Sequence, residues 1–364
     1  MNPLIQEIRG NRLLWLLVAV PVMFVAQAIA PQAHELLFVL SILAIVPLAA
    51  LLSRATEAVA TKTGDTIGGL LNATLGNLTE LIIALTALKA GQYALVKASI
   101  AGVIVTNTLF MLGASLLLGG LKHHTQEYNP STARMQAGML FVATIALLVP
   151  SMLTEVDAKS AATGFTQTLS LWLSILLIGC YALGMFFSLK THREFFGSAH
   201  HEGDETPWPM GLALATLAAV TVLVAAVSHV FVESVQHAAT AFGMTPAFVG
   251  FIIVALVGGA AEMVSAFSGA RKNRLDLSVG IALGSASQIA LFVAPMLVLL
   301  SYVIGPAPMN LQFWPGAIAM MLIATMTASL IVNSGRSAWF VGVLIINVYL
   351  VFAMTLYLLP PQVK

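Results

Sequence analysis

The sequence predicts an all-α polytopic membrane protein of about eleven transmembrane helices, built as two inverted five-helix repeats plus an extra first helix. Three observations carry this expectation. The 364 residues are 59% apolar and only 9% Asp, Glu, Lys and Arg, against roughly 25% charged residues in an average soluble domain. Apolar runs long enough to cross a bilayer follow one another along the whole chain. One short frame recurs 182 residues apart, which is half the length. So little charge excludes soluble, disordered, collagenous and nucleic-acid-binding proteins. The formal net charge of +1 leaves no bulk field to recruit polyanions. The expected partner is therefore the lipid bilayer, with no nucleic acid and with no sign in the sequence of oligomeric state. The single Cys180 lies in an apolar stretch, where it can form neither an intramolecular disulfide nor a thiolate metal cluster, and it is expected to serve packing.

Hydropathy places spans at about 13–30, 35–53, 64–89, 95–119, 134–152, 167–189, 210–231, 245–270, 277–302, 313–332 and 337–359. The first has the basic flank of a signal peptide (Arg9, Arg12) and an Ala28-Ile29-Ala30 end, but its apolar run is long for one, so a retained helix is expected. With the N-terminus inside, twelve Lys and Arg fall on the cytoplasmic side and four (Lys89, Lys97, Lys159, Lys364) on the other. The positive-inside rule then favours a cytoplasmic N-terminus and an external C-terminus. Compact loops fit a prokaryotic cytoplasmic (inner) membrane.

The chain divides into an extra helix at 1–34, a first repeat at 35–190, an acidic cytoplasmic linker at 191–209 and a second repeat at 210–364. In the linker, His200, His201 and Glu202 are adjacent and cannot all face one ion from a regular element, so a solvated loop fits better than a metal site. The recurring frame is G-x-x-x-E: Gly76-Asn77-Leu78-Thr79-Glu80 in the third span and Gly258-Gly259-Ala260-Ala261-Glu262 in the eighth. Each is followed by a basic break (Lys89 to Gly91; Arg271 to Asn273) and then by a small-residue-rich span carrying Asn107 or Gln288. Five helices per repeat is an odd number, so the second copy enters the membrane from the opposite side.

A carboxylate in the middle of a membrane helix costs roughly 2.5 to 3.5 kcal/mol on insertion scales. The deep parts of the spans offer no Lys or Arg to offset that cost for Glu80 or Glu262, so each must be protonated, ion-bound or open to a cavity. Asn72, Gly76 and Glu80 share one helix face, and Ser265 lies one turn after Glu262. Gly76, Gly258 and Gly259 allow close approach or unwinding that frees backbone carbonyls, and Ser99, Gly102, Thr106, Asn107, Gly284, Ser285 and Gln288 add small and polar groups. Carboxylate, amide and hydroxyl oxygens without deep His or Cys suit a hard cation such as Ca²⁺, Mg²⁺, Mn²⁺ or Na⁺. Two carboxylates can balance one divalent ion or hold protons in its absence, and mutual exclusion of the two is antiport. The cation-binding and proton-binding candidates, and the metal ligands, are thus Glu80 and Glu262. No cofactor is expected, only transported cation and H⁺. An intramembrane enzyme would need a nucleophile or metal at depth, for which the spans hold no His-x-x-x-His, Ser/Lys pair or His cluster.

The stretches GGLLNATLGNLTELIIALTALKAG, VKASIAGVIVTNTLFMLG and FVGFIIVALVGGAAEMVSAFSGARKNRLDLSVGIALGSASQIALFVAPMLVL resemble the two signature repeats of the Ca²⁺/H⁺ antiporter family, within the Ca²⁺:cation antiporter superfamily. The likeness runs from about Ala50 to Ile304. It implies eleven helices, alternating access and extrusion of cytoplasmic Ca²⁺ against inward protons. It also implies that Glu80 and Glu262 are the shared carboxylates, Asn77 a ligand or orienter, and Ser285 with Gln288 part of the lining. The family's second repeat usually reads G-N-A-A-E-H, whereas Gly259 and Met263 stand here in place of the Asn and the His. Those departures motivate a Na⁺ or K⁺/H⁺ antiporter as the alternative, ahead of a Na⁺/Ca²⁺ exchanger. Glu57 and Glu233, at opposite mouths, are candidate vestibule ligands or simply solvated carboxylates, and Asp65 and Asp276 read as helix N-caps or dipole partners.

Overall fold

The computed structural model describes residues 3–63, 65–153, 164–191 and 208–358. The expected linker at 191–209, with His200, His201 and Glu202, falls almost wholly outside the described residues, as does Lys159. In chain order the helices are α1 (Pro3–Gly10), α2 (Arg12–Ile29), α3 (His34–Lys62), α4 (Asp65–Leu75), α5 (Leu78–Lys89), α6 (Tyr93–His123) and α7 (Pro130–Met152). They continue with α8 (Phe165–Thr191), α9 (Met210–Ala241), α10 (Pro246–Gly258), α11 (Ala260–Arg271), α12 (Leu275–Ile304), α13 (Pro315–Ser334) and α14 (Trp339–Leu358). Trp172, Leu176 and Leu183 on α8 and Val222 on α9 are exposed on the bundle's outside, as a lipid-facing surface requires. Cys180 belongs to that exposed surface and not to the core, which corrects its expected packing role.

Nine of these helices are long and apolar enough to cross a membrane among the described residues, or ten if the bent pair α10 and α11 counts as one crossing. The count of eleven is not confirmed by this measure, because the third expected span is two short helices, α4 and α5, of 11 and 12 residues. Its break falls at Gly76 and Asn77, and the matching break falls at Gly259, where α10 and α11 meet at 60°. Glycine and asparagine are weak helix formers, so the two frames interrupt helices that apolar composition would otherwise continue. Glu80 is the third residue of α5 and Glu262 the third of α11, so each carboxylate sits in a helix's first turn, among N–H groups that have no intrahelical acceptor.

The repeat also governs the turns. Gly91, between α5 and α6, and Asn273, between α11 and α12, are 182 residues apart and both take left-handed backbone, at φ +71° and +59°. These two residue types accept that conformation most readily. Within α6 the residues Thr106–Met111 form a π-helical turn, and within α12 the residues Ile289–Val293 do so, beginning beside Asn107 and Gln288. The antiparallel pair α3 and α9 forms the central wall, with His34 stacked on His237 at 4.2 Å and Phe38 on Phe231 at 5.4 Å. Strands β1 (Thr125–Glu127) and β2 (Arg336–Ala338) pair antiparallel and tie the loop after α6 to the loop before α14. Lys122 Nζ and Gln126 Nε2 donate to the carbonyls of Arg271 and Ala270, satisfying the end of α11. Asp276, in the first turn of α12, is not the N-cap. It accepts the backbone N–H of Asn129 and so joins two loops on the same face.

Candidate functional site

The two broken helices cross at their breaks. A Cβ built on Gly258 would lie 3.0 Å from Glu80 Cγ and 3.5 Å from Glu80 Oε1, so the first-repeat carboxylate rests directly on the second-repeat break. Glu80 is 8% exposed. Glu262 is half-buried with its Oε2 enclosed, and the two carboxylates are within electrostatic reach of each other. Neither has an ion-pair partner among the described residues.

A polar thread joins the halves beside them. Asn107 Nδ2 donates to Ser285 Oγ at 2.9 Å, Ser285 Oγ donates to Asn77 Oδ1 at 2.7 Å, and Asn77 Nδ2 donates to Gln288 Oε1 at 2.5 Å. Asn77, Asn107 and Ser285 are buried, and the Gly76 position lies 3.8 Å, measured from a built Cβ, from Gln288 Oε1. The thread sets the amide orientations, since each donor must meet an acceptor. It leaves Asn107 Oδ1 and Glu262 Oε2 with no hydrogen-bond partner. On its other side Glu80 borders a narrow crevice lined by Ser99 and by apolar Ala84, Ile100, Val103, Val254, Ile289 and Val293. The structure thus brings Gly76, Asn77, Glu80, Asn107, Gly258, Gly259, Glu262, Ser285 and Gln288 to one place.

Other expected residues lie elsewhere. Asn72 and Ser265 are exposed. Glu57 is tied to Arg54 at 3.0 Å, which also meets Glu7 at 3.2 Å, and Glu233 is exposed with His229 at 3.3 Å. His34 stacks on His237, so Glu57 and Glu233 lie at opposite ends of the α3 and α9 pair. The side chain of Asp65 falls outside the described residues. One polar group, Gln136, carried no part in the sequence reasoning. Gln136 of α7 lies 3.6 Å from the Cβ position of Gly284 and has an enclosed, unpartnered Oε1; a lone amide in an apolar span was its only signal. Lys97, counted on the external side, lies one turn inside α6 and donates to Asn310 Oδ1 at 2.5 Å.

Removing the hub of the thread has a defined consequence. Asn77→Ala leaves the buried Ser285 hydroxyl and Gln288 amide unmet, which lowers stability by roughly 1 to 3 kcal/mol. A thermal melt in detergent should register it as a lowered midpoint, and an unchanged midpoint would contradict the thread.

Broken helices that meet at their breaks, with one carboxylate from each of two inverted repeats, define the inverted-repeat class of membrane transporter. The chain belongs to the sodium/calcium exchanger protein family, whose model matches residues 34–190 and 212–358. A protein of Aphanothece halophytica named Ca(2+)/H(+) antiporter is 39% identical over 341 residues, covering 89% of this chain and 90% of its own length. The Ca(2+)/H(+) antiporter ChaA of Bacillus subtilis (strain 168) is 38% identical over 96% of this chain and all of its own length. The solved structure of native YfkE superposes with a TM-score of 0.82 at 35% identity, covering 95% of this chain and 100% of that one.

Proposed function

We propose that this integral membrane protein exchanges Ca²⁺, or a related hard divalent cation, for H⁺ by alternating access, with Glu80 and Glu262 as the shared cation and proton site. The observation that carries the reading is the enclosure of two carboxylates, one from each repeat, without a cationic partner and among amide and hydroxyl oxygens. Carboxylate pairs of this kind bind one divalent ion or protons, and binding one excludes the other. The relatives named as Ca(2+)/H(+) antiporters support the choice of ion. The breaks between α4 and α5 and between α10 and α11 free carbonyls as further oxygen ligands. Asn77, Asn107, Ser285 and Gln288 orient the site, while Glu57 and Glu233 belong to the two mouths.

The two halves differ in how they pack, which supports alternating access. A Cβ on Gly102 would lie 2.2 Å from the Phe251 carbonyl and one on Gly250 would lie 2.5 Å from Ala98 Cβ, so α10 lies backbone-close on α6. The residues 182 positions away are Gly284 for Gly102, Gly280 for Ala98, and Gly68 and Gly69 for Gly250 and Phe251. Yet a Cβ on Gly280 would meet nothing within 4 Å, and α4 packs instead on α3, with Gly68 against the Ala60 carbonyl. Docking of Gly68 and Gly69 onto the Gly280 and Gly284 face, with release of α10, gives the second state. With the N-terminus cytoplasmic in a prokaryotic inner membrane, the α10 side is external.

Purified protein in proteoliposomes under an imposed pH gradient, challenged in turn with Ca²⁺, Mn²⁺, Na⁺ and K⁺, tests the reading. Ca²⁺ is expected to dissipate the gradient. Dissipation by Na⁺ or K⁺ alone would replace it with monovalent cation/H⁺ antiport, which the glycine at 259, one ligand short of its counterpart Asn77, would then explain.

A further inference from the structure

The internal repeat pairs Asn77 with Gly259, and the two positions are not equivalent in chemistry. Asn77 spends both ends of its amide on residues of the other repeat, Ser285 and Gln288. Gly259 has no side chain to do the same, and on its side two acceptors remain unmet: Asn107 Oδ1, on a residue with no exposed surface, and Glu262 Oε2. Two enclosed acceptors cannot satisfy one another, so a cation, a proton or a water hydrogen has to stand among them. The missing side chain leaves a small, partly polar notch at Gly259, where a built Cβ would lie 3.2 Å from the Ala255 carbonyl oxygen, 3.4 Å from the flexible Met263 Cε and 3.7 Å from Asn107 Oδ1. The backbone of Gly259, at φ −78° and ψ 6°, is one that any L residue adopts, so the glycine is not demanded by conformation.

Resting on the proposed exchange, we propose that Gly259 determines ion selectivity by leaving room for a water molecule that completes the shell of a cation held off-centre, by Glu262 Oε2 and Asn107 Oδ1. Asn77 is committed to Ser285 and Gln288, so the free oxygens are Asn107 Oδ1 and Glu262 Oε2, on the side of Gly259. A water ligand shifts with ion radius where a fixed amide does not. The site therefore accepts divalent cations of different size with similar affinity, and an amide introduced at 259 sharpens the preference.

The test compares wild type, Gly259→Asn and Gly259→Ser in proteoliposomes, with KM for Ca²⁺, Sr²⁺ and Mn²⁺ measured under one pH gradient. Wild type is expected to show KM values within about threefold of one another, because flexible oxygen sites discriminate weakly by radius. Gly259→Asn is expected to lower KM for the best-fitting ion about tenfold and to widen the spread of the three by a similar factor. Gly259→Ser, which adds a shorter oxygen, falls between them and covers the case in which the asparagine variant fails to fold. A purely structural effect would move all three KM values together; that result, or unchanged ratios in both variants, overturns the inference while leaving exchange itself standing. Absence of divalent exchange in wild type would instead remove the underlying reading.

Discussion

Glu80→Gln and Glu262→Gln should each reduce ΔpH-driven Ca²⁺ uptake by about a hundredfold or more, the consequence of losing roughly 3 kcal/mol of cation binding. The substitution keeps the size of the side chain and its capacity for hydrogen bonds while removing the charge and the titratable proton, the two properties that exchange uses. Both variants should remain monodisperse in detergent, because neither glutamate is held by an ion pair whose loss would strand a partner among the described residues. Their melting midpoints are expected to stay level or rise, since a charge in a poorly hydrated site is removed. Full uptake by either variant would sink the shared-site mechanism, and a folded but inactive pair would support it. Glu57→Gln is a useful contrast: its carboxylate is engaged by Arg54, so its loss should alter KM modestly and leave turnover standing.

Much of this site was legible because charge is scarce in the spans. Two glutamates in apolar runs, displaced by half the chain, mark themselves, and the same displacement pairs Gly91 with Asn273 at the turns. Hydropathy could not show the break at Gly76 and Asn77, since a window near 19 residues averages a two-residue interruption away. Helical periodicity put Asn72 on the face of Glu80, but it assumed one continuous helix; with α4 and α5 separate the relation lapses and Asn72 is exposed. The contacts of Ser285 with Asn77, of Asn107 with Ser285 and of Gln136 with Gly284 join residues far apart in sequence, and a single chain carries no signal that would pair them.

The second large effect concerns motion. Gly284→Leu is expected to abolish exchange without disturbing the fold seen here. In this state a Cβ at Gly284 meets only Gln136 Nε2, at 3.6 Å, the far end of a flexible side chain that can yield to a leucine. In the other state the symmetry of the repeat brings α4 against this face as closely as α10 now lies on α6, where Gly102 leaves 2.2 Å between a built Cβ and the Phe251 carbonyl. No side chain fits such a gap, and overpacking of roughly 3 kcal/mol reduces the population of the second state more than a hundredfold. Gly102→Leu should do the reverse, driving α10 from α6 and lowering the melting midpoint of the present state. Gly138→Leu, on the open surface of α7, serves as the control and should leave both readings unchanged. The decisive comparison is uptake against the melting midpoint for the three variants. If Gly284→Leu transports at the wild-type rate, α4 never reaches α12 and the two states are not related by the repeat. If it loses transport while melting like wild type, the open glycine face of α12 is the docking surface of the state not shown here.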